Sequence, residues 1–66
     1  MNENQILEVV ESLTSLADEI KGKGKVSDLE YGQLLAYAEA LTIIRDLYEG
    51  DLSNIGLDFD IDKKYL

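Results

Sequence analysis

The sequence contains no cysteine, no histidine, no proline and no tryptophan. Without cysteine it can form neither disulfides nor thiolate metal sites. Without histidine it lacks the commonest general base, the commonest metal ligand and an imidazole pH switch. A chain of 66 residues makes one domain at most and buries only about 60% of the surface that its unfolded state exposes. Small domains usually recruit a further source of stability, and here a second subunit is the expected one.

Basic residues are few: six lysines and arginines stand against 14 aspartates and glutamates, which gives a net charge of −8. Such a charge repels DNA and anionic membrane surfaces, so neither is expected as a direct partner. The longest apolar run, residues 34–38, is far too short to span a bilayer. The polar start MNENQ does not resemble a signal peptide. A cytoplasmic location is therefore expected.

Residues 3–21 carry a helical period, with apolar side chains at three- and four-residue steps along one arc roughly 120° wide. Asn2 followed by Gln5 predicts an N-cap with its reciprocal partner. The apolar positions of this helix are Ile6, Val9, Val10, Leu13, Leu16, Ala17 and Ile20.

The stretch KGKGKVSDLEYGQ, residues 21–33, concentrates three of the six basic side chains around two glycines. Gly22 stands where a helix C-cap favours a left-handed residue, and Ser27 with Glu30 forms the capping box S-x-x-E of a second helix. Residues 22–26 are therefore predicted to be a turn. An anion site is the alternative, but the spacing of a Walker loop is not met.

The second helix is predicted over residues 28–49, with Gly50 as its stop. It has two adjacent apolar stripes, which together cover at least half of its circumference. The first stripe is Leu29, Ala36, Ala40, Ile43 and Leu47. The second stripe is Leu34, Tyr37, Leu41, Ile44 and Tyr48. One narrow helix cannot cover so broad a surface, so either the C-terminal arm or a second chain must do so.

In residues 51–66, apolar side chains at positions 57, 59 and 61 alternate with aspartates. This period of two predicts an extended, half-buried arm or an edge strand. On one face of a strand, Asp58, Asp60 and Asp62 would lie about 7 Å apart and could hold a hard cation weakly. A solvated acidic face is the simpler interpretation, so neither a metal nor a cofactor is predicted.

The fold class predicted for residues 1–66 is all-α: an antiparallel two-helix hairpin with a short extended C-terminal arm, pairing into a four-helix dimer. Because alanine permits close approach, the first helix is expected to cover the first stripe. The second stripe would then form the interface between two copies, with Leu41 near its centre. The predicted interface residues are Leu34, Tyr37, Leu41, Ile44 and Tyr48. Folding back of the C-terminal arm onto this stripe is the alternative.

No base, nucleophile and orienting group occur at the spacing of a known catalytic motif, so enzyme activity is not expected. The sequence predicts a small acidic, non-catalytic protein-interaction or regulatory module that acts as a homo-oligomer, with itself and an unidentified protein as partners. Two other functions stay open. One is an acidic inhibitor that mimics nucleic acid at the binding site of a basic protein. The other is a purely self-assembling structural protein.

Overall fold

Two long helices pack against each other as a hairpin in the computed structural model, which describes all 66 residues. Helix α1 spans Glu3–Lys21 and helix α2 spans Asp28–Leu47. At the start of α1, the Asn2 side chain accepts a hydrogen bond from the Gln5 backbone at 2.8 Å, and the Gln5 side chain accepts one from the Asn2 backbone at 3.0 Å. The predicted helical hairpin, the limits of α1 and its capping box are confirmed.

The chain reverses at Gly24 and not at Gly22. Gly22 has a φ of −66° and its N–H donates to the Asp18 carbonyl at 2.8 Å, so it continues the hydrogen-bond ladder of α1. Gly24 has a φ of 78°, in the left-handed region that favours glycine. The prediction of a left-handed Gly22 is therefore wrong by two residues, because the helix extends its last turn before the chain turns back.

The predicted capping box of α2 is confirmed. The Ser27 hydroxyl accepts a hydrogen bond from the Glu30 backbone, and Glu30 accepts one from the Ser27 backbone, both at 3.2 Å. The second carboxylate oxygen of Glu30 lies 2.6 Å from the Lys23 ammonium. One of the loop lysines thus pairs with the first turn of α2, as a structural turn requires.

Helix α2 ends at Leu47, two residues before the predicted limit. Tyr48 has extended backbone angles, and its N–H makes the last bond of the ladder, to the Ile44 carbonyl at 3.0 Å. The Tyr48 hydroxyl donates to the Glu3 carboxylate at the start of α1. The side chain that ends α2 therefore joins the two helices at the open end of the hairpin.

The C-terminal segment, residues 51–66, contains no strand. Leu52–Ile55 form a short 3-10 helix and Ile61–Tyr65 form helix α3. An aspartate side chain caps the N-terminus of each of these helices. Asp51 accepts a hydrogen bond from a backbone N–H of the 3-10 helix, and Asp60 accepts one from a backbone N–H of α3. The prediction of an extended arm or edge strand is wrong, because local capping by aspartate competes with extended backbone.

The C-terminal segment folds back over one face of its own hairpin and completes the core. The buried residues are Val10, Ala17, Ile20, Leu34, Ala38, Leu41, Ile55, Leu57, Ile61 and Tyr65. The last four of them belong to the C-terminal segment, which contacts both long helices. The alternative that this segment packs on its own hairpin is confirmed. No helix has the length and apolarity that crossing a membrane requires.

A candidate interaction surface on the helical hairpin

The two apolar stripes of α2 have environments opposite to those predicted. Leu34 is 1% exposed and Leu41 is 0% exposed within a single chain. The expectation that their stripe lies open on a monomer is wrong, because α1 and the C-terminal segment cover it together. Leu41 is predicted at the centre of a dimer interface because it is expected to be exposed on a monomer. It is a core residue, so that reason no longer applies.

The other three predicted interface residues lie at the edge of this core. Tyr37, Ile44 and Tyr48 are half-buried and pack against it from outside. The hydrogen bond to Glu3 raises the pKa of the Tyr48 hydroxyl above its ordinary value. The structure thus brings the five predicted residues to one side of α2, where they face their own chain. Contact between them and a second chain stays a prediction.

The stripe expected to be covered is the one that remains open. Leu29 and Leu47 are each 76% exposed, and Ile43 is 58% exposed. Ala36 is also exposed, and Ala40 is partly exposed. Including the exposed Gln33, these positions repeat at steps of four, three, four, three and four, which is the spacing of a coiled-coil seam. We define the α2 stripe as Leu29, Gln33, Ala36, Ala40, Ile43 and Leu47.

A second open row runs along α1 beside the α2 stripe. We define the α1 strip as Gln5, Val9, Ser12 and Leu16, which are all exposed and uncharged. Leu7 and Val10, on another side of α1, approach Gly56 of the C-terminal segment. Val9 of the strip and Leu47 of the stripe line one groove of about 480 Å³ between the two helices. The strip and the stripe therefore adjoin on one face of the hairpin, which we call the far face. At its outer edge, Ile43 also lines a groove with Asp62 and Leu66 of the C-terminal segment.

The far face carries no charge along the strip and the stripe themselves, although Glu8 and Glu49 line the grooves at its edges. The ten residues of the strip and the stripe include no ionised side chain, although the chain carries 20 charged residues. Acidic side chains border the stripe on its outer side at Asp28, Glu39 and Asp46, all exposed. An uncharged band bordered by carboxylates resembles the composition of a docking surface, in which charged residues are depleted from the centre.

Two other groups considered from the sequence, Asp60 and Glu30, have structural roles. Asp60 caps α3 through the Lys63 N–H at 3.1 Å. No three histidine, cysteine, aspartate or glutamate side chains come together where they could hold a metal ion. Glu30 has its pKa lowered from 4.5 to about 2, first by the Lys23 ammonium and then by Ser27. That shift belongs to the turn and its capping box.

Sequence reasoning assigned the two stripes of α2 to the wrong partners because it treated the C-terminal segment as a minor cover. A signal was present: Ile61 and Tyr65 stand four residues apart, the spacing of one helix face, immediately after a capping aspartate. Both side chains are fully buried. Leu34 and Leu41 of α2 face inward and are covered, which leaves the alanine-containing stripe open.

No protein-family model matches this chain, and no curated protein or solved structure is significantly similar to it. What the chain does is therefore inferred from the chemistry of its own surface. The far face of the hairpin is the feature of that surface which its own fold leaves without a partner.

Proposed function

We propose that this chain is a small acidic, non-catalytic protein-interaction module that acts as a homodimer through the far face of the hairpin. The observation that carries the proposal is the concentration of exposed apolar side chains there. Five of the eight exposed large apolar residues lie in the α1 strip or the α2 stripe. A contiguous patch of exposed apolar side chains marks an interaction site, whereas isolated exposed apolar side chains are ordinary.

The size of this face supports pairing. The Cα atoms span 35 × 17 × 15 Å, and the α2 stripe runs along most of the longest of these dimensions. Full burial of a leucine or isoleucine side chain contributes about 1.5–3 kcal/mol. The two copies together bring six such side chains from the α2 stripe alone. Their burial can exceed an association cost of about 4–15 kcal/mol.

The distribution of charge favours the far face over other faces as the contact between two copies. Two chains of net charge −8 repel each other, and the repulsion is weakest where neither presents a carboxylate. The strip and the stripe provide such a surface. As part of the same proposal we place the protein in the cytoplasm, since small extracellular domains typically depend on disulfides and this chain has no cysteine.

The test is sedimentation equilibrium on the parent chain and on Ile43→Glu. Ile43 is more than half exposed, so the substitution leaves the core intact and places a carboxylate within the α2 stripe, about one helical turn from Leu47. We expect a dimer for the parent and a folded monomer for the variant. Ser15→Glu is the matched control, because Ser15 is exposed on the acidic side of α1 and outside the strip. A monomeric parent at high micromolar concentration would refute the proposal, as would an undisturbed Ile43→Glu dimer.

A second candidate is the acidic inhibitor of a basic protein. It is favoured by the exposed glutamates Glu8, Glu11 and Glu19 on the outer side of α1, of which Glu8 borders the α1 strip. This function predicts that changing all three to glutamine abolishes binding to the basic partner, whereas Ile43→Glu leaves that binding unchanged. Isothermal titration of both variants against a basic protein that binds the parent separates the two functions.

A further inference from the structure

The α2 stripe is symmetric in residue position and side-chain size about the middle of its helix, although Gln33 at one position corresponds to Ile43 at the other. Leu29 and Leu47 lie equally far from position 38, as do Gln33 and Ile43, and as do Ala36 and Ala40. The midpoint of the helix, Asp28–Leu47, falls at the same place. The stripe is therefore bulky at both ends and small in the middle, and it keeps this profile when the helix direction is reversed.

Resting on the proposed function, we infer that the partner of the α2 stripe is the α2 stripe of a second copy, running antiparallel about a two-fold axis beside position 38. In this register Leu29 faces the Leu47 of the other copy, and Ala36 faces its Ala40. Small residues at the crossing point allow the two backbones to approach closely. The larger side chains at both ends fill the space where the crossed helices diverge.

The α1 strip supports the antiparallel arrangement. Val9 and Leu16 lie on either side of the midpoint of α1, Glu3–Lys21, and the hairpin places this midpoint beside that of α2. The two-fold axis of the antiparallel pair lies in the plane of the interface and runs perpendicular to both helices. It therefore pairs the two α2 helices and at the same time places each α1 on the α1 of the other copy. A parallel pairing of the stripes would place the two α1 helices on opposite sides, where Val9 and Leu16 would stay exposed.

Helix dipoles also favour this direction, because the antiparallel pair brings the N-terminal end of each α2 to the C-terminal end of the other. The interface is isologous, so each copy uses the same surface and the assembly closes at two chains. These features together predict a layered dimer of four long helices, with the two C-terminal segments on its outer sides.

Single cysteines test the register, since the chain has none of its own. The variants Leu29→Cys and Leu47→Cys are prepared separately. A short bismaleimide crosslinker is added in three reactions: to the first variant alone, to the second variant alone, and to a mixture of the two. Positions 29 and 47 lie about 27 Å apart along one helix, at 1.5 Å per residue. In the antiparallel dimer each variant alone therefore stays uncrosslinked, and only the mixture gives a covalent dimer containing one chain of each kind. Spin labels on either variant alone should lie about 27 Å apart along the helix direction.

The outcomes separate this inference from the function on which it rests. Crosslinking of each variant with itself would show parallel stripes, and the inference would be wrong while the homodimer stands. A dimer by sedimentation that gives no product in any of the three reactions would show that α2 pairs with α1 or uses another face, which also overturns it. Monomeric protein in all samples, the parent included, would overturn both the inference and the proposed homodimer.

Discussion

The Tyr65 hydroxyl donates a hydrogen bond to the Asp18 carboxylate at 2.8 Å, across 47 positions of the chain. It anchors the second-last residue of the sequence to the last turn of α1. The Tyr65 ring is fully buried and meets Phe59 edge to face at 6.3 Å, while Lys64 lies 3.7 Å from the same carboxylate. The C-terminal segment is thus held both by apolar burial and by a directed polar bond at its end.

Tyr65→Phe should lower the free energy of unfolding by about 1 kcal/mol, because it removes this hydrogen bond and keeps the ring. In a domain of this size such a loss corresponds to a melting temperature lower by about 4–8 °C. Thermal denaturation followed by circular dichroism measures it. Tyr31→Phe, at an exposed tyrosine on the first turns of α2, is the control and should leave the melting temperature unchanged. Equal shifts in both variants would contradict the role of the bond.

The same tyrosine predicts a loss of stability at alkaline pH. Burial, together with the Asp18 carboxylate, raises the pKa of Tyr65 well above its ordinary value of 10.0. The folded state therefore holds the phenolic proton more tightly than the unfolded state does, and its stabilising effect is complete below pH 10 and is lost as the pH rises beyond it. Urea unfolding from pH 8 to 11.5 should show a steeper decline for the parent than for Tyr65→Phe. Parallel curves would mean that other groups set the alkaline limit.

The lowered pKa of Glu30 predicts the pH range in which the turn loses stability on acidification. Its pKa is lowered from 4.5 to about 2, so its contribution is present above pH 4.5 and is lost as the pH falls towards 2. Glu30→Gln keeps the capping hydrogen bonds but loses the charge beside Lys23. The variant should be less stable than the parent at pH 7 and equal to it near pH 2. Glu49→Gln, at an exposed carboxylate after α2, is the control, and a similar pH profile for it would weaken the assignment.

Two glycines should respond to alanine in opposite directions. Gly56 has a φ of 74°, so Gly56→Ala places a side chain in the left-handed region and should cost about 1–2 kcal/mol. Gly32 lies inside α2 with open space around it, so Gly32→Ala should stabilise the chain by about 0.5–1 kcal/mol. Chemical denaturation measures both. A stabilising effect at Gly56 would show that the turn into the segment differs from the one described.

The proposed antiparallel dimer would bring the two copies of Glu39 close to its axis, at the acidic border of the α2 stripe. Glu39→Gln should therefore tighten the dimer by ~0.5 kcal/mol, which is roughly a twofold lower dissociation constant. Added salt should tighten the parent more than the variant, since ions screen the repulsion that the variant lacks. Sedimentation at two salt concentrations measures both effects, with Glu11→Gln on the outer side of α1 as the control. Weaker pairing of Glu39→Gln would contradict the register.

The helices could be predicted from the sequence because their signals are local. The period of α1 and the capping boxes at Asn2 and Ser27 each involve residues within one or two turns, and the structure contains all of them. Helix α3 could not be predicted in the same way, because five residues are too few for a period to outweigh the alternation of apolar residues with aspartate. Its formation depends on the burial of Ile61 and Tyr65 against the hairpin.

The candidate surface was harder to predict than the fold. Both stripes of α2 were visible in the sequence, but which one faces inward depends on where residues 51–66 pack, and that is a contact between distant parts of the chain. Leu41 and Ile43 stand two positions apart, yet one is fully buried and the other mostly exposed. No local preference separates them. Their difference follows from the bulk of the side chains that the C-terminal segment brings to one side of the helix.

If the far face pairs as proposed, the C-terminal segment also decides how many chains can join, because α2 is apolar on two sides. With the segment in place, each chain exposes one apolar face that can pair. The proposed symmetric dimer would bury both of these faces and leave none to bind a third chain. Without it, the side around Leu34 and Leu41 would become a second adhesive side, so that every added chain would present a fresh end. In the proposed homodimer the segment would therefore act as a terminator of growth, separating a finite particle from an open-ended fibre.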